Sequence, residues 1–161
     1  MTGIFGSAYL TQHSLVTMIC YIAGFTVITA SLIALYQDNL KRLLAFSTIG
    51  QLAYIVMGVG LSSQLAVTGA SLHIVMHAFG KITLFFAAGA IYVVTGYKYI
   101  SQMKGLGKKM PFTFGAFLIG AMSVIGLPPT GGFVSKMYML FGAMDAKQTG
   151  IMIIYLIIQF I

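Results

Sequence analysis

Between Leu15 and Tyr36 the chain reads LVTMICYIAGFTVITASLIALY, 22 residues without a charge. As a helix this run rises about 33 Å, enough to cross the ~30 Å hydrocarbon core of a bilayer. Further apolar runs follow at about Leu43–Leu61, Ala66–Val94 and Phe112–Ile125, then a shorter VSKMYMLFGAM and a final GIMIIYLIIQFI. Only 7% of the 161 residues are charged, against about a quarter in a soluble domain, and mean hydropathy is +0.98. In water such a chain would expose large apolar patches and aggregate. In lipid every backbone polar group must be satisfied within the protein, and runs this long do so as helices. The alternating ten-residue pattern of a membrane barrel is absent. The expected fold is all-α: a polytopic membrane helical bundle of about 5–6 transmembrane segments, with one segment broken at Pro128-Pro129.

The net charge of +7 does not point to nucleic acid. The basic residues are scattered among apolar runs and build no basic polar face. Topology accounts for them better. Lys41 and Arg42 lie between the first and second runs, beside Asp38, and Lys98, Lys104, Lys108 and Lys109 lie between the third and fourth. The turn between, at Ser62 to Gln64, carries no charge. If each run spans once, both basic loops share one side, the cytoplasmic side by the positive-inside rule. Cys20, the single cysteine, allows no internal disulfide and is expected to pack as a small hydrophobe. The N-terminus lacks the basic region of a cleavable signal, and the abrupt start and end are expected of a piece of a larger membrane protein.

Against this background LHIVMHAFGKITLFF, residues 72–86, stands out. His73, His77 and Lys81 are four apart, so successive residues are offset by about 40° and form one slanting stripe that climbs about 12 Å. A lysine at the bilayer centre costs about 2.5–3.5 kcal/mol on insertion scales. One intramembrane histidine is readily explained as structural glue. Two histidines and a central lysine in line fit a proton or ion path better. Histidine changes charge near neutral pH, and protons could pass along the stripe through trapped water. A metal site is the rival, because His73 and His77 share the i, i+4 spacing of zinc helices. HIVMH lacks the glutamate of a metalloprotease motif, and His13 is remote, so neither metal nor any other cofactor is expected.

Two further features bear on a path. Ser47, Gln51 and Tyr54 fall at i, i+4 and i+7 on one face of the second run, where they could line a wet passage, with Lys41 and Arg42 at its entrance. GLPPTGGF, 126–133, removes two backbone donors and supplies glycines, and Lys136 follows within a turn. Broken helices beside a charged residue recur at transporter ion sites, while a plain surface turn fits the spacing about as well. Asp38 and Asp145 are the only acids, so Lys81 has no obvious charge partner within the chain. Small residues (Gly80, Ala87, Ala88 and Gly89; Ala116, Gly120 and Ser123) allow close helix packing without indicating function.

QDNLKRLLAFSTIGQLAYIVMGVGL, HIVMHAFGKITLFFAAGAIY and GLPPTGGFVSK together resemble the antiporter-like, proton-translocating membrane subunits of NADH:quinone oxidoreductase (complex I), membrane-bound hydrogenases and Mrp-type cation/proton antiporters. The match runs from Gln37 to Thr48, through His73, His77 and Lys81, and from Pro128 to Lys136. KITLFFAAGAIYVVTG and GLPPTGGFVSKMY are most similar to the D-type subunits of Mrp antiporters and their hydrogenase relatives. The resemblance implies paired inverted helical repeats, each with a half-channel, joined by buried lysines along a hydrated axis. It implies that residues 1–161 form a single, partial transmembrane domain, the second repeat, without the N-terminal one. Lys81 would then be the central relay lysine, with His73 and His77 as connecting groups. Lys136 would face the exit, Lys41 would stand near the inner entrance, and Ser47 and Gln51 would line the path. The implied partners are other membrane subunits of a multisubunit complex, the lipid bilayer and H⁺, alone or exchanged with Na⁺, in a prokaryotic plasma membrane. The chain would perform no bond-making catalysis itself, though it could serve as a subunit of an NADH:quinone oxidoreductase-like translocase. The alternative is a non-conducting structural or assembly fragment of such a complex.

Overall fold

The computed structural model describes residues 15–61 and 63–145, which form helices with no strand among them. The helices are α1 (Leu15–Leu35), α2 (Leu40–Gly60), α3 (Gln64–Thr95), α4 (Leu106–Lys109), α5 (Pro111–Ile125) and α6 (Gly131–Asp145), with a 3₁₀ turn at Ile100–Met103. The terminal apolar run and His13 lie outside the described residues. Among the described residues three helices, over Thr17–Leu35, Leu40–Gly60 and Gln64–Thr95, are long and apolar enough to cross a membrane. Their outward faces carry large apolar side chains; Phe86 is 74% and Phe25 71% exposed, as expected of surfaces that meet lipid. Hydroxyls within the spans turn back onto their own helix. Thr26 and Thr83 donate to the carbonyls of Ile22 and Phe79 at 2.8 and 2.9 Å, so neither hydroxyl leaves a free donor facing hydrocarbon.

α2 begins three residues earlier than the apolar run does. The Asn39 side chain accepts from Arg42 N at 3.3 Å and caps the helix, so Lys41 and Arg42 sit in its first turn and not in the preceding loop. The two basic segments meet at one end of the bundle. Leu40 N donates to Lys98 O at 3.2 Å, Ile100 N donates to Asp38 O at 2.8 Å, and Asn39 and Tyr99 form an antiparallel bridge. Both basic loops therefore share one side, as the charge asymmetry implies. Asp38 pairs with neither Lys41 nor Arg42. Its carboxylate accepts from Ser101 N at 3.0 Å and Ser101 Oγ at 2.7 Å.

α5 and α6 are the two halves of one broken crossing, laid antiparallel along α3. Going down the pair, Gly120 and Val124 meet Gly80, Gly131 meets Met76, Ser135 and Met139 meet Gly69, and Gly142 meets Ala66. The break at 126–130 therefore lies beside the middle of α3 and not at a surface turn. α5 ends in Gly126, whose φ of +85° is left-handed, and Pro128 and Pro129 cannot continue a helix. Close approach depends on missing side chains. A Cβ on Gly69 would stand 2.7 Å from Met139 N, backbone against backbone. One core cluster, around Cys20, Tyr54, Met57, Ala70 and Met139, joins α1, α2, α3 and α6, and another, around Leu40, Leu44, Leu84 and Val124, joins α2, α3 and α5. Cys20 packs as expected, 1% exposed.

Candidate intramembrane proton path

The i, i+4, i+8 spacing turns one stripe of α3 toward α2 and the broken helix. His73, His77 and Lys81 are 1%, 7% and 5% exposed, and Lys136 on α6 is 5% exposed. Four titratable groups thus share the interior of an apolar bundle.

His73 is fixed at both ring nitrogens. Nε2 lies 2.9 Å from Gln51 Oε1 on α2, and Nδ1 lies 2.9 Å from Ser135 Oγ on α6. Ser135 Oγ in turn donates to Gly132 O at 2.9 Å, in the first turn after the break. One imidazole therefore ties three helices together. His77 stacks on His73, with centroids 5.9 Å apart and planes 14° from parallel. Its Nε2 is buried without a protein partner among the described residues. The ring of Tyr54 lies 5.7 Å from that of His73, and Lys136 Nζ lies 5.8 Å from the Tyr54 centroid.

Each buried lysine rests on a main-chain carbonyl. Lys81 Nζ donates to Leu44 O at 3.1 Å, an oxygen that also accepts from Thr48 Oγ1 at 2.8 Å. Lys136 Nζ donates to Ile125 O at 2.8 Å. Ile125 is the last residue of α5, where carbonyls lack intrahelical partners and the helix dipole is negative. The break thus supplies both an acceptor and a favourable field for the ammonium. Gly126 gives the lysine stem room, since a Cβ there would stand 3.0 Å from Lys136 Cδ. Neither acid reaches these amines: Asp38 is held by Ser101, and Asp145 accepts from Ser63 Oγ at 3.2 Å near the opposite end.

Of the residues expected from sequence, the structure brings together His73, His77, Lys81, Lys136 and Gln51. Ser47 lies on the same face of α2, half-buried, and makes no side-chain hydrogen bond to this set among the described residues. Lys41 stands apart at the basic end, exposed, with Nζ 4.7 Å from the Tyr92 centroid. It lies one turn before Leu44, whose carbonyl holds Lys81. Ser135 joins the set without a strong sequence signal; the sequence marks it only by its place beside Lys136 in GGFVSK.

Comparison with known proteins identifies the family and the fold. The family model for the NADH:quinone oxidoreductase/Mrp antiporter transmembrane region matches residues 4–161. The N-type membrane chain of NADH-quinone oxidoreductase from Desulforudis audaxviator is 44% identical over 126 residues, covering 78% of this chain and 25% of the relative. The D-type chain of a Na⁺/H⁺ antiporter from Alkalihalophilus pseudofirmus is 39% identical over 127 residues, 79% of this chain and 26% of the relative. Among solved structures, a chain of the Mrp complex from Dietzia superposes with a TM-score of 0.85 at 30% identity, covering 90% of this chain and 27% of that one. A chain of an archaeal membrane-bound sulfane sulfur reductase gives 0.84 at 32% identity, with 91% and 30% covered. The chain spans about a quarter of the length of these relatives. With its buried histidine–lysine stripe and its broken crossing, it belongs to the NADH:quinone oxidoreductase/Mrp antiporter transmembrane family.

Proposed function

We propose that this chain is a proton-conducting segment, the second-repeat region of a longer antiporter-like subunit, and that it works within a multisubunit membrane complex of the complex I or Mrp type. Lys81 and Lys136 exchange protons with water and with each other's surroundings through His73 and His77. Gln51 and Ser47 line the passage, Ser135 orients His73, and Lys41 stands toward the basic entrance. The transported ion is H⁺, exchanged with Na⁺ if the parent is of the antiporter kind. The observation that carries this function is the way the two buried amines are held. A lysine locked against a carboxylate gives up its proton at great expense, whereas an amine on a neutral carbonyl can become neutral and leave no orphaned charge behind. His77 Nε2, buried without a partner among the described residues, supports a water in the stripe, because a polar atom so placed requires a partner. Bacterial and archaeal relatives support a prokaryotic plasma membrane, with the basic end cytoplasmic.

A structural or assembly role is the second possibility, favoured by His73, whose two ring nitrogens are both engaged in cross-links between helices. Proton flux into vesicles carrying the reconstituted parent complex separates the two. With Lys81→Ala, flux falls to the level of protein-free vesicles while native gels show the complex intact. Unchanged flux per assembled complex refutes conduction through Lys81, and loss of assembly with normal flux in the assembled remainder establishes the structural role.

A further inference from the structure

At the basic end of the bundle, away from the buried stripe, the geometry points to a binding site for the phosphate headgroup of an anionic phospholipid, gripped between Lys41 and Lys98. These lysines are 57 positions apart in sequence, yet both ammoniums lie over one ring: Lys41 Nζ at 4.7 Å and Lys98 Nζ at 5.5 Å from the Tyr92 centroid. The two cations are therefore at most about 10 Å apart, the sum of those distances. They are held there by the backbone. The Leu40 N to Lys98 O bond, the Ile100 N to Asp38 O bond and the Asn39–Tyr99 bridge zip together the segments that carry them.

Like charges gathered this way normally have an acid paired with them, and here neither lysine forms an ion pair among the described residues. The chain has two acids. Asp38 has both carboxylate oxygens committed to Ser101, and Asp145 lies at the far end of α3 beside Ser63. Arg42, Lys104, Lys108 and Lys109 add to the positive potential of the same end. A cleft of about 230 Å³ opens between the two lysines. Leu40, Ala88 and Met103 line its apolar part, and Tyr92 stands at its edge, 37% exposed.

A cleft of mixed lining, with apolar residues on one side and two ammoniums on its rim, matches an amphiphile better than a soluble anion. The phosphate would bridge the two ammoniums, and the glycerol and first acyl carbons would lie against Met103 and the exposed edge of Tyr92. Location agrees, because the cleft lies at the basic end where α2 begins and α3 ends, the kind of span terminus at which an anionic leaflet attracts basic residues. The site shares Lys41 with the entrance of the proposed path, but none of the buried stripe residues takes part in it, so it holds whether or not the stripe conducts.

The test uses the full membrane protein, delipidated in neutral detergent and titrated with phosphatidylglycerol, phosphatidylcholine or inorganic phosphate, with bound lipid counted by native mass spectrometry and stability followed by thermal shift. The expected result is one tightly held phosphatidylglycerol, little phosphatidylcholine, and no stabilisation by inorganic phosphate at equal concentration. A lysine near an anionic surface contributes about fivefold in affinity, so Lys41→Gln/Lys98→Gln should weaken phosphatidylglycerol about 25-fold, and Lys98→Gln alone about fivefold. Lys108→Gln/Lys109→Gln removes the same charge outside the cleft and should change binding far less. Equal loss in the two double variants means diffuse attraction and overturns the site. Stabilisation by inorganic phosphate matching that of the lipid overturns the lipid assignment, and undiminished phosphatidylglycerol binding by the Lys41/Lys98 variants refutes the proposal outright.

Discussion

The histidine cross-link depends on how closely α6 approaches α3, and Gly69→Ala tests that dependence. The added Cβ would stand 2.7 Å from Met139 N and 3.0 Å from Ser135 O, both main-chain atoms of α6 that no rotamer change can move aside. Ordinary contact begins near 3.4 Å, so α6 must retreat by about 0.7 Å, the difference between 3.4 and 2.7. The same retreat carries Ser135 Oγ from 2.9 Å to about 3.6 Å from His73 Nδ1, beyond a hydrogen bond. Overpacking of this kind costs about 1–3 kcal/mol, and a buried donor left unpaired costs about 1–3 kcal/mol more. Gly89→Ala is the matched control, because the same helix offers nothing within 4 Å of a Cβ there. Alanine is favoured over glycine in a helix by about 1 kcal/mol, so the control should be neutral or slightly stabilising. The assay pairs thermal unfolding in detergent with proton flux in vesicles. Gly69→Ala should unfold several degrees earlier and conduct less per assembled complex, with Gly89→Ala like wild type on both counts. If the two variants behave alike, the close α3–α6 approach does not govern the site and the reasoning fails.

Gly126→Ala should place a side chain where φ is +85°, at a conformational cost of about 1–2 kcal/mol, and push against the Lys136 stem 3.0 Å away. Gly105→Ala has a comparable φ of +80° but nothing within 4 Å, so it should lose stability alone, while Gly126→Ala loses stability and flux; equal flux in the two would separate Lys136 from the path. Asp38→Ala removes both acceptors of Ser101 and should loosen the clip between the basic segments by about 1 kcal/mol. Hydrogen exchange at the Ser101 and Ile100 amides should then accelerate roughly fivefold, with exchange in α3 unchanged; an unaltered Ser101 rate would mean that the carboxylate does not hold the loop.

The membrane setting, the helices, the polar stripe and the shared side of the two basic loops were all legible in the order of residues, because each is a local property. An uncharged run of about twenty residues has few ways to satisfy its backbone in lipid, a spacing of four fixes a direction around one helix, and charge counts need no partner. What the stripe touches depended on packing. Lys81 and Lys136 rest on the carbonyls of Leu44 and Ile125, and every residue has a carbonyl, so no side-chain pattern announces such an acceptor. Ser135 became a partner of His73 only because α6 crosses α3 closely at Gly69, a match between positions 66 apart along the chain. Whether GLPPTGGF was a surface turn or a break within one crossing rested on the same register. Small residues on two distant segments set it, and neither segment specifies the other's alignment until they pack.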